Sequence, residues 1–252
     1  MDTIRDIAVL EGRFSVKTLR SDSELQEAYR LRHKVYSETL KWVPPSHDEL
    51  EVDEYDLMAT SLGLFAETGT LVGVIRLVPA PGPFMLEKEF SSLMPGYDIR
   101  KERDTNEITR LTVDPTLTDK GLSSRMLLVL LKGMYQWLVA NEVRYSYMVI
   151  EKRFQRVLSV MGFPCRSISP SMALPPAGAV SVAALLDWEE FRVENSKKRP
   201  EFLEWMSTVR EHTPSLPAAA ANDPSSETEW TTVDAYDRVR VPARESGQLV
   251  TV

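Results

Sequence analysis

The chain has 252 residues, 43% of them hydrophobic and 27% charged, with a formal net charge of −7. That composition suits one well-cored domain, or one domain with an appendage, and the negative balance argues against a general nucleic-acid binder. A single cysteine, Cys165, excludes an internal disulfide and gives no sign of export. The N-terminus carries acids and no apolar core of signal length, and the run Met126–Leu131 is far too short to span a bilayer. The expectation is a cytoplasmic protein without stable membrane insertion.

Taken in chain order, Phe14–Leu19 alternates as a strand. Ser21 or Asp22 then offers an N-cap for a helix over Asp22–Leu40. Lys41–Asp56 holds two prolines and a crowd of acids, which makes it a long loop of the kind that is usually functional or disordered. Ser61–Glu67 and Leu71–Val78 read as strands joined at Gly69, and Phe84–Leu93 reads as a short helix. Asn106–Val113 is a strand. A strong helix follows over Leu122–Asn141, then a strand at Tyr145–Ile150 and a helix at Glu151–Met161 stopped by Gly162 and Pro164. Strand-like runs recur near Cys165–Ile168 and Val180–Leu186. After Asn195 the character changes: residues 196–252 form an extension with one helix at Lys197–Glu211 and then a flexible tail poor in large apolar groups. Residues 1–195 thus form an α/β (α+β) domain, a sheet covered by helices.

Several charges sit where burial is costly. Leu25, Tyr29, Arg32 and Tyr36 share one helical face, so Arg32 lies in an aromatic stripe. Either it snorkels at the edge of that stripe or it is buried and needs a carboxylate. Arg76 interrupts an apolar strand. Glu107 and Arg110 lie in NEITRLTV, and strict alternation would point them to opposite faces. Arg32, Arg76 and Arg110 match Asp53, Asp56 and Glu107 in number and suggest one buried ionic network, a pattern that marks functional sites. Trp42, in the loop, is either an anchor on the core or the wall of a ligand site. His47, Asp48 and Glu49 lie near these acids, but no spacing marks a metal site, and no local motif marks Cys165 as a nucleophile.

LRHKVYSETLKW, E-x-D-E-Y-D, GVIRLVP and NEITRLTV together resemble the acyl-homoserine-lactone synthases, the autoinducer synthases of quorum sensing. The matching positions are Arg32, Tyr36, Trp42, Glu51, Asp53, Asp56, Arg76, Glu107 and Arg110, and the likeness spans roughly residues 14–190. It implies a GNAT-like fold: a mixed twisted sheet, helices on both faces, and a cleft between splayed central strands. Tyr36 stands where Phe is commoner. TDKGLSSR keeps only Gly121 of the pyrophosphate loop usual in acetyltransferases of this fold, with Thr118 and Ser123 at two other signature positions.

The resemblance implies substrates and roles. S-adenosylmethionine is the acceptor, acyl carrier protein or acyl-CoA the donor, and no cofactor takes part. Glu107 is the expected base. Arg32, Tyr36 and Trp42 line the S-adenosylmethionine side, while Asp53, Asp56, Arg76 and Arg110 hold the cleft together. Met126, Leu130, Met148 and Ile150 are candidates for an acyl pocket, although apolar residues at regular spacing usually pack as core. Arg144, Lys152, Arg153 and Arg156 are candidates for docking an acidic carrier protein, or a solvated helix face. The alternative within the fold is an N-acyl amino acid synthase or an exosortase-associated acyltransferase.

Overall fold

The computed structural model describes residues 4–116 and 120–209. Nine strands form one sheet: β1 Ala8–Glu11, β2 Phe14–Thr18, β3 Thr60–Ala66, β4 Leu71–Pro79, β5 Thr105–Val113, β6 Tyr145–Glu151, β7 Arg166–Ser167, β8 Met172–Leu174 and β9 Ala179–Asp187. Five α-helices accompany them: α1 Asp22–Arg32, α2 Lys120–Ala140, α3 Lys152–Met161, α4 Trp188–Lys198 and α5 Pro200–Ser207. Sheet order is β1-β2-β3-β4-β5-β6-β9-β7, with β8 also paired to β9. Every pairing is antiparallel except β5 with β6, which α2 joins as a crossover. This is the expected mixed sheet of GNAT-like type.

The parallel pair is short. Thr105, Asn106 and Glu107 register with Tyr145, Ser146 and Tyr147, and the pairing then stops while both strands continue. β5 and β6 therefore splay, and Glu107 and Tyr147 stand at the apex of the opening.

Residue parity assigns the faces. On β5 and β6, Ile108, Leu111, Met148 and Ile150 pack behind the sheet with Leu127, Leu130 and Met134 of α2 and Phe154 and Leu158 of α3. α1 lies on the opposite face, where Leu31, Val35 and Tyr36 cover Leu19 and Val74. Gly133 lets α2 approach β2 closely, since a Cβ there would collide with Val16.

Several boundaries differ from the sequence reading. α1 opens on a Ser21–Glu24 capping box but stays α-helical only to Arg32, and a π-helical turn occupies His33–Thr39. Phe84–Leu93 is two 3₁₀ turns, Met85–Glu87 and Ser91–Leu93, rather than one helix. β1 and β8 have four and three residues and are too short to stand out by periodicity. The expected helix Lys197–Glu211 is split instead between α4 and α5, because Pro200 has no amide hydrogen for α4 and starts a new helix at its N1 or N2 position. Asn195, where composition shifts, lies inside α4, and Met206 of α5 is fully buried in the main core. The tail expected beyond residue 211 lies outside the described residues, as does Thr118.

Candidate active site

A bulge in β5 reconciles the two charges of NEITRLTV. Across the β4–β5 ladder Val74 faces Thr112 and Arg76 faces Thr109, so three steps on β5 match two on β4. The additional residue falls at Arg110–Leu111, and Arg110 adopts φ +54° to make it. Parity inverts there. Glu107 and Thr109 face the front, Arg110 also faces the front, and Ile108 and Leu111 both face α2. The backbone of Leu111 receives a further tie from the front, where Tyr36 Oη donates to its carbonyl at 3.2 Å.

On the front face the loop between the π-helical turn and β3 delivers three acids to three arginines. Arg32 donates from Nε to Glu51 Oε2 at 2.5 Å and grips Asp56 with both terminal nitrogens at 2.7 and 3.1 Å. Arg76 grips Asp53 at 2.5 and 2.9 Å, reaches Asp56 at 3.0 Å, and bonds Thr109 Oγ1 at 2.9 Å. Arg110 meets Glu51 at 2.7 Å and Asp53 at 3.0 Å. Asp53 also caps the 3₁₀ turn Glu54–Leu57. Two-pronged pairs of this kind satisfy planar charges that burial would otherwise penalise.

The third acid is Glu51, not Glu107, which corrects the expected grouping. Burial alone pushes the Glu51 carboxyl up, but Arg110 and Arg32 outweigh it and hold it near about 2. Asp56 behaves alike: Arg32 and Arg76 override burial and hold it at about 2. The signal for Glu51 was its two-residue spacing from Asp53 in an extended segment, which aims both side chains the same way.

Glu107 stands apart from this network. It is fully buried, and its two oxygens accept the Met85 and Leu86 amides at 2.7 and 2.9 Å. Burial pushes its carboxyl up to about 7, against the pull of those two amides and of Arg76. A carboxyl tuned to neutrality can both take and give a proton at physiological pH.

A cavity of about 640 Å³ opens in front of β5 and β6. Tyr36, Trp42, Asp53, Glu107 and Arg110 are among its lining residues. The Tyr36 and Trp42 rings lie 6.0 Å apart, and the Arg110 guanidinium sits 5.2 Å above the Tyr36 ring. Arg32, expected on the acceptor side, is instead wholly buried behind that wall and is consumed by Glu51 and Asp56. Arg76 and Asp56 likewise brace the wall without bordering the cavity. Sequence reading overlooked Thr109, two residues from Glu107 on the same face, and Val149 and Leu174, which also border the cavity.

Two further expectations change. Met126, Leu130, Met148 and Ile150 belong to the core between β6 and α2 and do not border the cavity. Arg144 lies at the opposite end of β6 from the α3 cations and is paired with Asp187 and Glu189. Lys152, Arg153 and Arg156 stay together around a smaller hollow that shares Glu151 and Ala179 with the main cavity. Cys165 is buried, and burial pushes its thiol up to about 12, which leaves it inert. No helix among the described residues is long and apolar enough to cross a membrane.

A mixed sheet whose one parallel pair splays beside a buried carboxyl has the GNAT-like fold. The family model described as autoinducer synthase matches residues 16–195. The acyl-homoserine-lactone synthase of Agrobacterium fabrum is 30% identical over 159 residues, covering 62% of this chain and 75% of that protein. Among solved structures, the AHL synthase LasI shares the fold at TM-score 0.62 and 19% identity, over 69% of this chain and 89% of its own. BjaI, a CoA-dependent acyl-homoserine lactone synthase solved with MTA, does so at TM-score 0.61 and 21% identity, over 86% and 92%. The chain belongs to the autoinducer synthase family and is an acyltransferase.

Proposed function

We propose that the protein makes an acyl-homoserine lactone from S-adenosylmethionine and an acyl thioester. The amine of S-adenosylmethionine attacks the thioester carbonyl and gives up a proton to Glu107. Glu107 returns that proton to the departing sulfur, which leaves as the thiol once the amide bond has formed. The carboxylate of the same acceptor then attacks its own γ-carbon, the carbon–sulfur bond breaks, and methylthioadenosine departs as the lactone closes.

The observation that carries this reading is the position of Glu107, buried at the apex of the splayed strands, facing the cavity, with its carboxyl raised to about 7. Tyr36 and Trp42 offer aromatic faces for the adenosine and sulfonium of the acceptor. Backbone amides at the β5 bulge would hold the oxyanion. Glu51, Asp53, Asp56 and the three arginines keep the acceptor wall rigid. Lys152, Arg153 and Arg156 suit the anionic end of a phosphopantetheine donor, whether free as CoA or carried on a protein.

The test is methylthioadenosine release from S-adenosylmethionine that requires an acyl thioester. Release by the wild-type chain and its loss in Glu107→Gln support the reading. No release across a panel of carrier-protein and CoA thioesters sinks it. Thiol release that requires an amino acid and ignores S-adenosylmethionine assigns the protein to N-acyl amino acid synthesis instead.

A further inference from the structure

This inference rests on the reading of Glu107 as the base and concerns what holds its carboxyl in place. The two amides that Glu107 accepts, from Met85 and Leu86, lie in the segment between β4 and β5. They belong to the 3₁₀ turn Met85–Glu87, and a turn of three residues makes too few internal hydrogen bonds to keep its geometry alone.

Lys101, on the approach to β5, supplies the hold. Its ammonium donates to the Gly82 carbonyl, meets Glu87 Oε2 at 2.6 Å and lies 3.4 Å from the centre of the Phe84 ring. Glu87 Oε2 in turn accepts the Phe84 amide at 2.7 Å. One cation thus grips the residues on both sides of Met85 and Leu86. The backbone beside Lys101 is itself anchored at the apex: the Arg100 amide donates to Tyr147 Oη at 3.2 Å, and the Tyr147 and Phe84 rings lie 6.3 Å apart.

Other charged and titratable groups share the front face with Glu107. Arg76 of β4 is held by Asp53 and Asp56, and Arg110 of β5 by Glu51 and Asp53. Tyr55, in the 3₁₀ turn Glu54–Leu57, donates to Glu89 at 2.7 Å, and Lys88 pairs with Glu54 at 2.9 Å. Burial raises the Glu107 carboxyl, while the Leu86 and Met85 amides, Arg76 and Lys101 pull it down. Loss of Lys101 therefore acts twice. It removes a positive charge and it loosens two donors, and both changes favour the protonated acid.

We propose that Lys101 is a positioning residue: through Gly82, Phe84 and Glu87 it fixes the Met85 and Leu86 amides on Glu107, and so governs how readily that carboxyl takes the acceptor's proton.

The experiment measures kcat/KM for methylthioadenosine release against pH in the wild type, Lys101→Met and Lys88→Met. Glu107 is titrated in parallel by carbon NMR of labelled carboxyls, its signal assigned by its loss in Glu107→Gln. Lys101→Met should move both midpoints up by about one pH unit, a loss of about tenfold in kcat/KM at pH 6 that shrinks toward pH 9. Lys88→Met removes a cation from the same segment without touching Gly82, Phe84 or Glu87, and should move neither midpoint. Glu87→Gln keeps an acceptor for the Phe84 amide but loses the ion pair, so it should shift both midpoints the same way, and it carries the test if Lys101→Met does not fold. A loss of activity equal at every pH, with the Glu107 titration unmoved, overturns the proposal. So does an equal shift in Lys88→Met. If the wild type releases no methylthioadenosine while Lys101→Met still moves the Glu107 titration, the lactone reading fails and the hold of Lys101 on Glu107 stands.

Discussion

Arg110 Nη2 lies 2.7 Å from Glu51 Oε1, and the pair exists because Arg110 holds φ +54° inside β5. A regular strand would have turned Arg110 into the apolar layer under α2. The bulge brings it to the front, onto the Tyr36 ring and against Glu51 and Asp53. One backbone conformation thus joins the strand that carries Glu107 to the loop that walls the cavity.

Two substitutions at this position separate backbone from charge. Both Arg110→Gly and Arg110→Ala remove the guanidinium and should cost about 3–5 kcal/mol, because buried carboxylates lose a partner. Glycine takes a positive φ freely, so Arg110→Gly should be about 1 kcal/mol the more stable of the two. Urea denaturation of both variants measures the gap. Equal stabilities would contradict a strained bulge at Arg110.

Glu107 should set the pH dependence of turnover. Its carboxyl titrates at about 7 when folded, so kcat/KM should rise with pH through that region and level off above it. Glu107→Gln should lower kcat/KM by about 100-fold or more and abolish that limb. The same group acts on stability in the opposite direction. Its folded value lies above the unfolded value of about 4.3, so the folded chain keeps a proton that the unfolded chain has released, and stability falls as pH rises between them. Melting temperatures from pH 4.5 to 7.5 should show this slope in the wild type and a shallower one in Glu107→Gln.

The Glu51–Asp56 side of the network works the other way. Both carboxyls sit near about 2 when folded, below their unfolded values of about 4. Their contribution is complete above pH 4–5 and is lost as pH falls toward 2. Acid unfolding followed by circular dichroism should therefore show a steep loss in that window. Arg32→Met, which removes a partner from both acids, should already be unstable at neutral pH and should flatten the acid transition.

Gly133 offers a test of how α2 meets the sheet. Alanine favours a helix over glycine by about 1 kcal/mol, so propensity alone predicts a more stable Gly133→Ala. Its Cβ would collide with Val16 on β2, which is buried and cannot withdraw. The variant should be less stable by about 1–3 kcal/mol. A raised melting temperature would show that α2 can shift away from β2.

Much of this protein is legible in its sequence. Period and punctuation suffice for the long elements, since β4, β5, α2 and α3 bury continuous faces and end at residues such as Gly162, which takes φ +103° after α3. The charged residues were also legible as a group, because arginines inside apolar strands need partners wherever the strands lie. Which acid meets which arginine was not. Glu51 and Glu107 are chemically alike, and only the path of the loop and the splay of β5 from β6 give Glu51 two arginine partners and leave Glu107 with two backbone amides. The same holds for the apolar residues of β6. Alternation says that Met148 and Val149 face opposite ways, but only the packed sheet, with α2 on one side and small β9 side chains on the other, decides which face is core and which is cavity.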